Sequence, residues 1–197
     1  MQKFFIVIGF LVSYVFAQTY YDYFLQGNMH EDVKEYDQAI AAYKQCIELE
    51  PGFAPGYNGL GFVYLEKEAF DTASQYFDQA TALDEKYILP ILNKGATLYR
   101  QNNFAAAEIL FLRVLALDPK NPRALTNMAA VKYRFGDYWG AWDYYNRAKA
   151  ADELYLKERY NKDKTLAELR SQRKKDPGNF QLKLLEEKVE REEIFLP

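Results

Sequence analysis

Histidine and cysteine supply most nucleophiles, general bases and metal ligands near neutral pH. This chain has one of each, His30 and Cys46. A Ser-His-Asp or Cys-His centre would have to be built on His30, with no second histidine in reserve. A Cys/His zinc site cannot be assembled from two residues, and a lone cysteine makes no intrachain disulfide. The glycines are single, so no glycine-rich loop cradles a phosphate. Carboxylates are plentiful, 28 Asp and Glu, but they stand in charged runs of the kind that face solvent. The chain is therefore read as non-enzymatic. No catalytic residue, metal, cofactor or small-molecule substrate is expected, and Cys46 reads as a buried packing thiol. What remains is the chemistry of recognition.

Composition bounds that recognition. Apolar residues make up 49% of the 197 positions and charged residues 27%, a globular balance with room for a core. Aromatics reach 17%, and net charge is −3. Without a basic excess, nucleic acid is not an expected partner.

The first 17 residues, MQKFFIVIGFLVSYVFA, read as an export signal. Lys3 is the positive start, Phe4 to Phe16 the apolar run, and Val15 and Ala17 the small residues before a cut at Gln18. As a helix that run spans about 20 Å, short of the roughly 30 Å of a bilayer core. The expectation is an exported, periplasmic or secreted protein. The alternative is anchoring by an uncleaved segment, the one way a membrane would be a partner.

Recognition needs elements to carry it, and these repeat. Starts at Tyr20, Ala54, Ile88 and Pro122 give an ungapped 34-residue register: 20–53, 54–87, 88–121 and 122–155. Position 8 holds Gly27, Gly61, Gly95 and Ala129; position 20 holds Ala39, Ala73, Ala107 and Ala141. Position 17 holds Tyr36, Phe70, Phe104 and Tyr138; position 24 holds Tyr43, Phe77, Phe111 and Tyr145. Position 27 holds Cys46, Ala80, Val114 and Ala148. Small residues allow two helices to approach closely, and aromatics seven residues apart share one helical face. Pro51 and Pro119 stop the second helices of repeats one and three, and Glu85 stands where repeat two would have proline. Asn103 and Asp137 are placed as N-caps.

The pattern resembles the tetratricopeptide repeat family over residues 20–153. The resemblance implies an all-α fold, an α-solenoid of four tandem helix–turn–helix repeats at 18–153 after the signal. Charged C-terminal capping helices follow at 154–197. It also implies that first helices line a concave groove through positions 2, 5, 6, 9, 12 and 13. Repeats three and four agree there: Asn93 and Asn127, Ala96 and Ala130, Tyr99 and Tyr133, Arg100 and Arg134, with Arg123 as a further cation. An amide donates and accepts at once, which suits a peptide backbone, and arginine suits a carboxylate. Glu31, Asp32 and Glu66 make the N-terminal half acidic, above an apolar floor of Phe62 and Leu65. A Lys/Asn carboxylate clamp of the kind found in chaperone adaptors is not supported by Phe24 with Asn28 or Leu92 with Ala96. Lys94 and Lys132 depart from usually apolar positions.

Past Asp152 the register is lost. Residues 153–175 read as one long charged helix, 176–179 as a turn, and 180–194 as a last helix with Leu182, Leu185 and Val189 on one face. The basic cluster Arg170, Arg173, Lys174 and Lys175 suits the negative end of the helix dipole. The leading expectation is a protein–protein scaffold or adaptor of the cell envelope that holds a partner segment in its groove. A periplasmic chaperone-like binder of protein clients, or a regulatory or targeting subunit of an enzyme on another chain, are the alternatives.

Overall fold

The computed structural model describes residues 20–159 and 162–190. The expected export signal and the Ile194-Phe195-Leu196 end lie outside them. Every regular element among the described residues is an α-helix. α1 spans residues 20–32. After it come α2 (Tyr36–Leu49), α3 (Ala54–Glu66), α4 (Phe70–Leu83), α5 (Ile88–Arg100) and α6 (Phe104–Leu117). α7 (Pro122–Arg134), α8 (Tyr138–Ala151), α9 (Glu153–Arg159), α10 (Lys162–Lys175) and α11 (Phe180–Glu190) complete the set. The fold is thus the expected α-solenoid class of tandem helical hairpins, first helices odd-numbered in chain order and second helices even through α8. The described residues divide into two compact units within α5, one ending at Thr97 and one starting at Leu98.

The turns inside the repeats share one backbone device. Position 15 takes a left-handed conformation each time: Lys34 (φ 60°), Glu68 (φ 59°), Asn102 (φ 61°) and Gly136 (φ 76°). Only the last is glycine, so three turns carry the steric cost of a Cβ in that region. Asn103 and Asp137 cap α6 and α8 as expected, accepting from the backbone N–H of Ala106 and Gly140. Asn121 does the same for α7 through Ala124.

Acids, not prolines, end the second helices. Position 31 holds Glu50, Asp84, Asp118 and Asp152, each with its N–H still bonded to the carbonyl at position 27. Each side chain then accepts a backbone N–H that follows, from Gly52, Lys86 and Lys120 in the turns and from Tyr155 in the first turn of α9, at 2.9 to 3.3 Å. α4 stops at Leu83 without a proline for this reason.

The core follows the register. The alanines of position 20, the aromatics of position 24 and the small residues of position 27 are all buried. Position 8 makes room for the ring at position 24. A Cβ on Gly27 would stand 2.4 Å from the Tyr43 ring, and one on Gly61 2.5 Å from Phe77. Gly59 closes the other side of Tyr43, where a Cβ would stand 2.6 Å away. The glycines thus admit an aromatic ring, rather than two backbones, into the space between helices. Leu65, expected on the groove floor, belongs instead to the core around Ala73 and Phe77.

The tail corrects two expectations. Residues 153–175 form two helices, α9 and α10, with different neighbours: α9 packs on α8, and α10 pairs with α11. Leu166, Leu169, Leu182, Leu185 and Val189 are buried in this part of the chain. The basic cluster is also more than a dipole effect. Arg170 donates to Glu186 and Glu190 at 3.0 and 2.7 Å, and Arg173 lies 2.9 Å from Glu186. These pairs clamp α10 to α11 around a buried carboxylate.

Nothing lies within 4 Å of a Cβ built on Gly136, so substitution there tests backbone conformation alone. Gly136→Ala is expected to lower stability by about 1 kcal/mol, with Lys34→Gly neutral or stabilising by less than that, in urea denaturation. Equal effects of the same sign would contradict the left-handed assignment.

Candidate binding surface

In the first unit the predicted acidic face is present and partly buried. Tyr43, fully buried at position 24, points its hydroxyl to this face; it donates to Glu31 Oε2 at 2.7 Å and lies 2.8 Å from Asn28 Oδ1. Burial pushes the Glu31 carboxyl above the usual carboxylate range; the Tyr43 hydrogen bond opposes the shift, and Asp32 and Glu66 add to it. Tyr64 and Tyr76, which pack against the core cluster that holds Tyr43, stack with ring centres 5.5 Å apart.

Asn93 is buried, and its amide donates to Asn58 Oδ1 at 3.0 Å. Asn58 and Asn93 are 35 residues apart. Side chains of neighbouring first helices therefore meet one position out of register, position 5 of one repeat against position 6 of the next. Asn58 was not foreseen as a site residue. The one-residue offset would have pointed to it.

The second unit repeats the rule. Arg134 Nε donates to the Tyr99 hydroxyl at 3.0 Å, again 35 residues away. Here position 12 meets position 13. Arg134 Nη1 also lies 3.9 Å from Glu168 Oε1 on α10. Tyr99, Tyr133 and Arg134 line one recess with Ala129, Ala130, Thr165, Glu168 and Leu169. Ala130, the small residue expected at position 9 beside a ligand, lines it, and so does the nearly buried Ala129 of position 8. The Tyr133 hydroxyl is buried there with no hydrogen-bond partner. Its pKa is raised, chiefly by burial and then by Glu168.

Glu168 changes the electrostatics read from sequence. It stands 34 residues after Arg134 and 35 after Tyr133, so the register reaches into α10 although the sequence pattern fades at Asp152. The Arg134 guanidinium thus has an acid of α10 beside it. Asn127 and Arg123 are half-buried on α7 and Arg100 is exposed at the end of α5; none of the three is among the recess lining.

The unusual lysines find acids on the preceding second helix. Lys94 bonds Asp78 at 2.6 Å, and Lys132 bonds Glu108 at 2.7 Å. His30 bonds Glu35 in the adjoining turn at 2.7 Å. Cys46 is fully buried, and burial, with Glu50 nearby, pushes its thiol up to about 11. No group of three or more His, Cys, Asp or Glu among the described residues is placed to hold a metal ion. No described helix is long and apolar enough to cross a membrane.

Stacked helical hairpins with a recurring small-residue and aromatic code, and polar side chains meeting across first helices, define a helical-repeat protein. A TPR-repeat family model matches residues 27–68, and tetratricopeptide-repeat models match 54–87 and 92–155. Together they span more than half of the chain, which belongs to the tetratricopeptide-repeat family. Among curated relatives, serine/threonine-protein phosphatase 5 of Mus musculus is 35% identical over 82 residues, 42% of this chain but 16% of that protein. The uncharacterized protein ycf37 of Guillardia theta is 29% identical over 96 residues, 46% of this chain and 54% of that one. The match thus spans less than two thirds of either relative. Among solved structures, the MamA protein superposes with a TM-score of 0.61 at 19% identity, over 72% of this chain and 77% of that one. The first TPR of Spaghetti (RPAP3), bound to the HSP90 peptide SRMEEVD, gives 0.58 at 22% identity, over 60% and 97%. The Arabidopsis OM64 TPR domain gives 0.57 at 22% identity, over 59% and 97%.

The raised Glu31 carboxyl has a pH signature. Below the ordinary carboxylate pKa both folded and unfolded chains keep the proton, and the group is neutral to stability. As pH rises from there through the raised folded value, the unfolded chain releases the proton first, so folding is progressively disfavoured. Glu31→Gln keeps an acceptor for Tyr43 and removes the charge. Its denaturation midpoint is expected to exceed wild type at pH 7 and to converge with it at pH 4. A gain of equal size at both pH values would contradict this assignment.

Proposed function

We propose that this protein is a non-catalytic interaction scaffold that holds a segment of a partner protein against its first-helix face. One observation carries the reading: Arg134, anchored by the Tyr99 hydroxyl, stands in a recess that Ala129 and Ala130 line. A guanidinium held through Nε keeps other N–H donors for a partner's carboxylate or backbone carbonyl. Glu168 shares that cation at 3.9 Å, a separation that a closer carboxylate would outcompete. Half-buried Asn127 on the same helix is the amide for a peptide backbone. Fold relatives support the class of ligand, since the first TPR of Spaghetti (RPAP3) is seen with a peptide bound. The Lys/Asn clamp pattern is not the means here, because Phe24 and Leu92 stand where its polar groups would be.

We place this scaffold in the cell envelope, on the strength of the Lys3, Phe4–Phe16 and Val15/Ala17 pattern. A second reading is a regulatory or targeting subunit for an enzyme on another chain. It draws on the 82-residue likeness to phosphatase 5, a protein that this chain covers only to 16%.

Cross-linking in native cells, comparing wild type with Asn127→Ala plus Arg134→Ala, is expected to remove the main cross-linked partner while α-helical circular dichroism is kept. An unchanged partner set would overturn the first-helix assignment. One enzyme recovered in fixed ratio would favour the subunit reading. N-terminal sequencing of the mature protein is expected to start at Gln18, and a start at Met1 would contradict cleavage.

A further inference from the structure

In repeats two, three and four the first helix buries the same edge. Position 10 holds Val63, Thr97 and Val131, all fully buried, and position 3 holds Gly56, Pro90 and Ala124, buried as well. The helix that covers such an edge is the second helix of the repeat before. α3 packs on α2 and α7 on α6, and a Cβ built on Gly56 would stand 2.7 Å from Ile47 of α2. No described helix precedes α1, and there the same edge is open. Met29 at position 10 is 68% exposed and Leu25 at position 6 is 43% exposed. Tyr21 and Val33, also exposed, extend them into one line at four-residue spacing. An end repeat is expected to show a polar outer face, so an apolar line there calls for a different explanation.

Charge narrows what covers it. Where a second helix meets the next first helix, the lysine belongs to the first helix or its C-cap and the acid to the second. Lys67 meets Asp37, Lys94 meets Asp78, and Lys132 meets Glu108, at 2.6 to 2.7 Å. α1 reverses this sense. Its repeat has Gln26, His30 and Val33 at those lysine positions, and His30 bonds Glu35 of its own turn. The charged groups among the exposed residues of α1 are Asp22 and Asp32, one near each end of the apolar line. Lys34 lies past the helix end, in the turn. A helix bearing acids, as the second helices of this chain do, would meet like charge on α1. A helix with lysine or arginine beside its apolar face would form charge-assisted contacts instead.

The same acids weigh against other occupants. A second copy pairing through this edge would bring both copies' aspartates into one interface. Anionic lipid is drawn to basic segments, not to acidic ones. The preceding residues 1–17 carry one cation, Lys3, and the export-signal reading removes them. Length points to a helix as well. Tyr21 to Val33 spans about 18 Å along the axis, close to the reach of the 14-residue second helices that cover this edge elsewhere.

We propose that the open edge of α1 docks a basic amphipathic helix of a partner protein, which takes the place of a preceding second helix. Its apolar side lies on Leu25 and Met29, and its lysine or arginine side chains lie beside Asp22 and Asp32. The recess at Arg134 belongs to the other unit, so this surface stands whether or not that recess binds.

The probes are two fluorescein-labelled synthetic helical peptides with the same leucine face, one flanked by lysines and one by glutamates. Titrated into the full chain and read by anisotropy, the lysine peptide is expected to bind at least fivefold tighter, with a preference that shrinks as salt rises. Asp22→Asn plus Asp32→Asn should erase most of that preference. Leu25→Ser plus Met29→Ser should weaken both peptides at least fivefold with circular dichroism unchanged, because both side chains are exposed. Asn127→Ala plus Arg134→Ala should bind as wild type does. Equal binding of the two peptides, a preference that survives the aspartate changes, or undiminished binding by Leu25→Ser plus Met29→Ser would overturn the proposal. Self-association that the serine variant abolishes would assign the edge to a second copy of the chain. Uptake by phosphatidylcholine vesicles that the same variant abolishes would assign it to lipid. Peptide binding seen only when the chain starts at Gln18 would assign it to residues 1–17. Each of these three outcomes would overturn the proposal as well.

Discussion

The contact on which the structure depends is an aromatic ring lying against a residue that has no side chain. Tyr43 lies against Gly27 and Gly59, and Phe77 against Gly61, each at a distance where a Cβ would collide. Both rings are fully buried. Burying a side chain of that size contributes roughly 2–3 kcal/mol of hydrophobic stabilisation, so the rings are among the larger contributors to a core that also holds alanines, leucines and valines. The seat also fixes geometry. A ring admitted between two helices sets their separation, and the turn at position 15 must then close the hairpin even where the residue is Lys34 or Glu68 rather than glycine. Local backbone strain is accepted because the packing determines it.

First helices bury Leu60, Val63, Ile91, Leu92, Leu125 and Met128 in the core and also carry polar side chains. These meet their counterparts one position out of register, as Asn58 with Asn93 and Tyr99 with Arg134 show. Such pairs hold polar groups in fixed orientations on a half-exposed face, which is what recognition of a segment needs. The C-terminal hairpin joins in: α10 brings Glu168 to Arg134, and α11 brings Lys188 to Trp142. A tail that sequence describes as a solvating cap thus contributes to two surfaces of the last repeat.

The helices and core were legible because their code is periodic. Positions 8, 20, 24 and 27 each recur through the chain, and burial follows them almost without exception. The helix ends were misread where proline was taken as the signal, since Asp84 stops α4 by accepting a turn N–H. The site was legible in part. Tyr99, Tyr133 and Arg134 do come together, but Asn58 and Glu168 were missed. A search for identical residues at a 34-residue spacing cannot see contacts made at 35. The split of residues 153–175 was hidden because charge patterning shows a solvated face but not which neighbour each leucine buries against.

The most direct test of the ring-and-glycine constraint is a double-mutant cycle on Gly61→Ala and Phe77→Leu. Overpacking by the added methyl costs about 1–3 kcal/mol against the native ring. If the ring is what requires glycine, the cost of Gly61→Ala should fall by at least half once Phe77 is leucine, a coupling of about 1 kcal/mol measured by urea denaturation. Additive losses, with Gly61→Ala equally harmful beside leucine, would contradict the account.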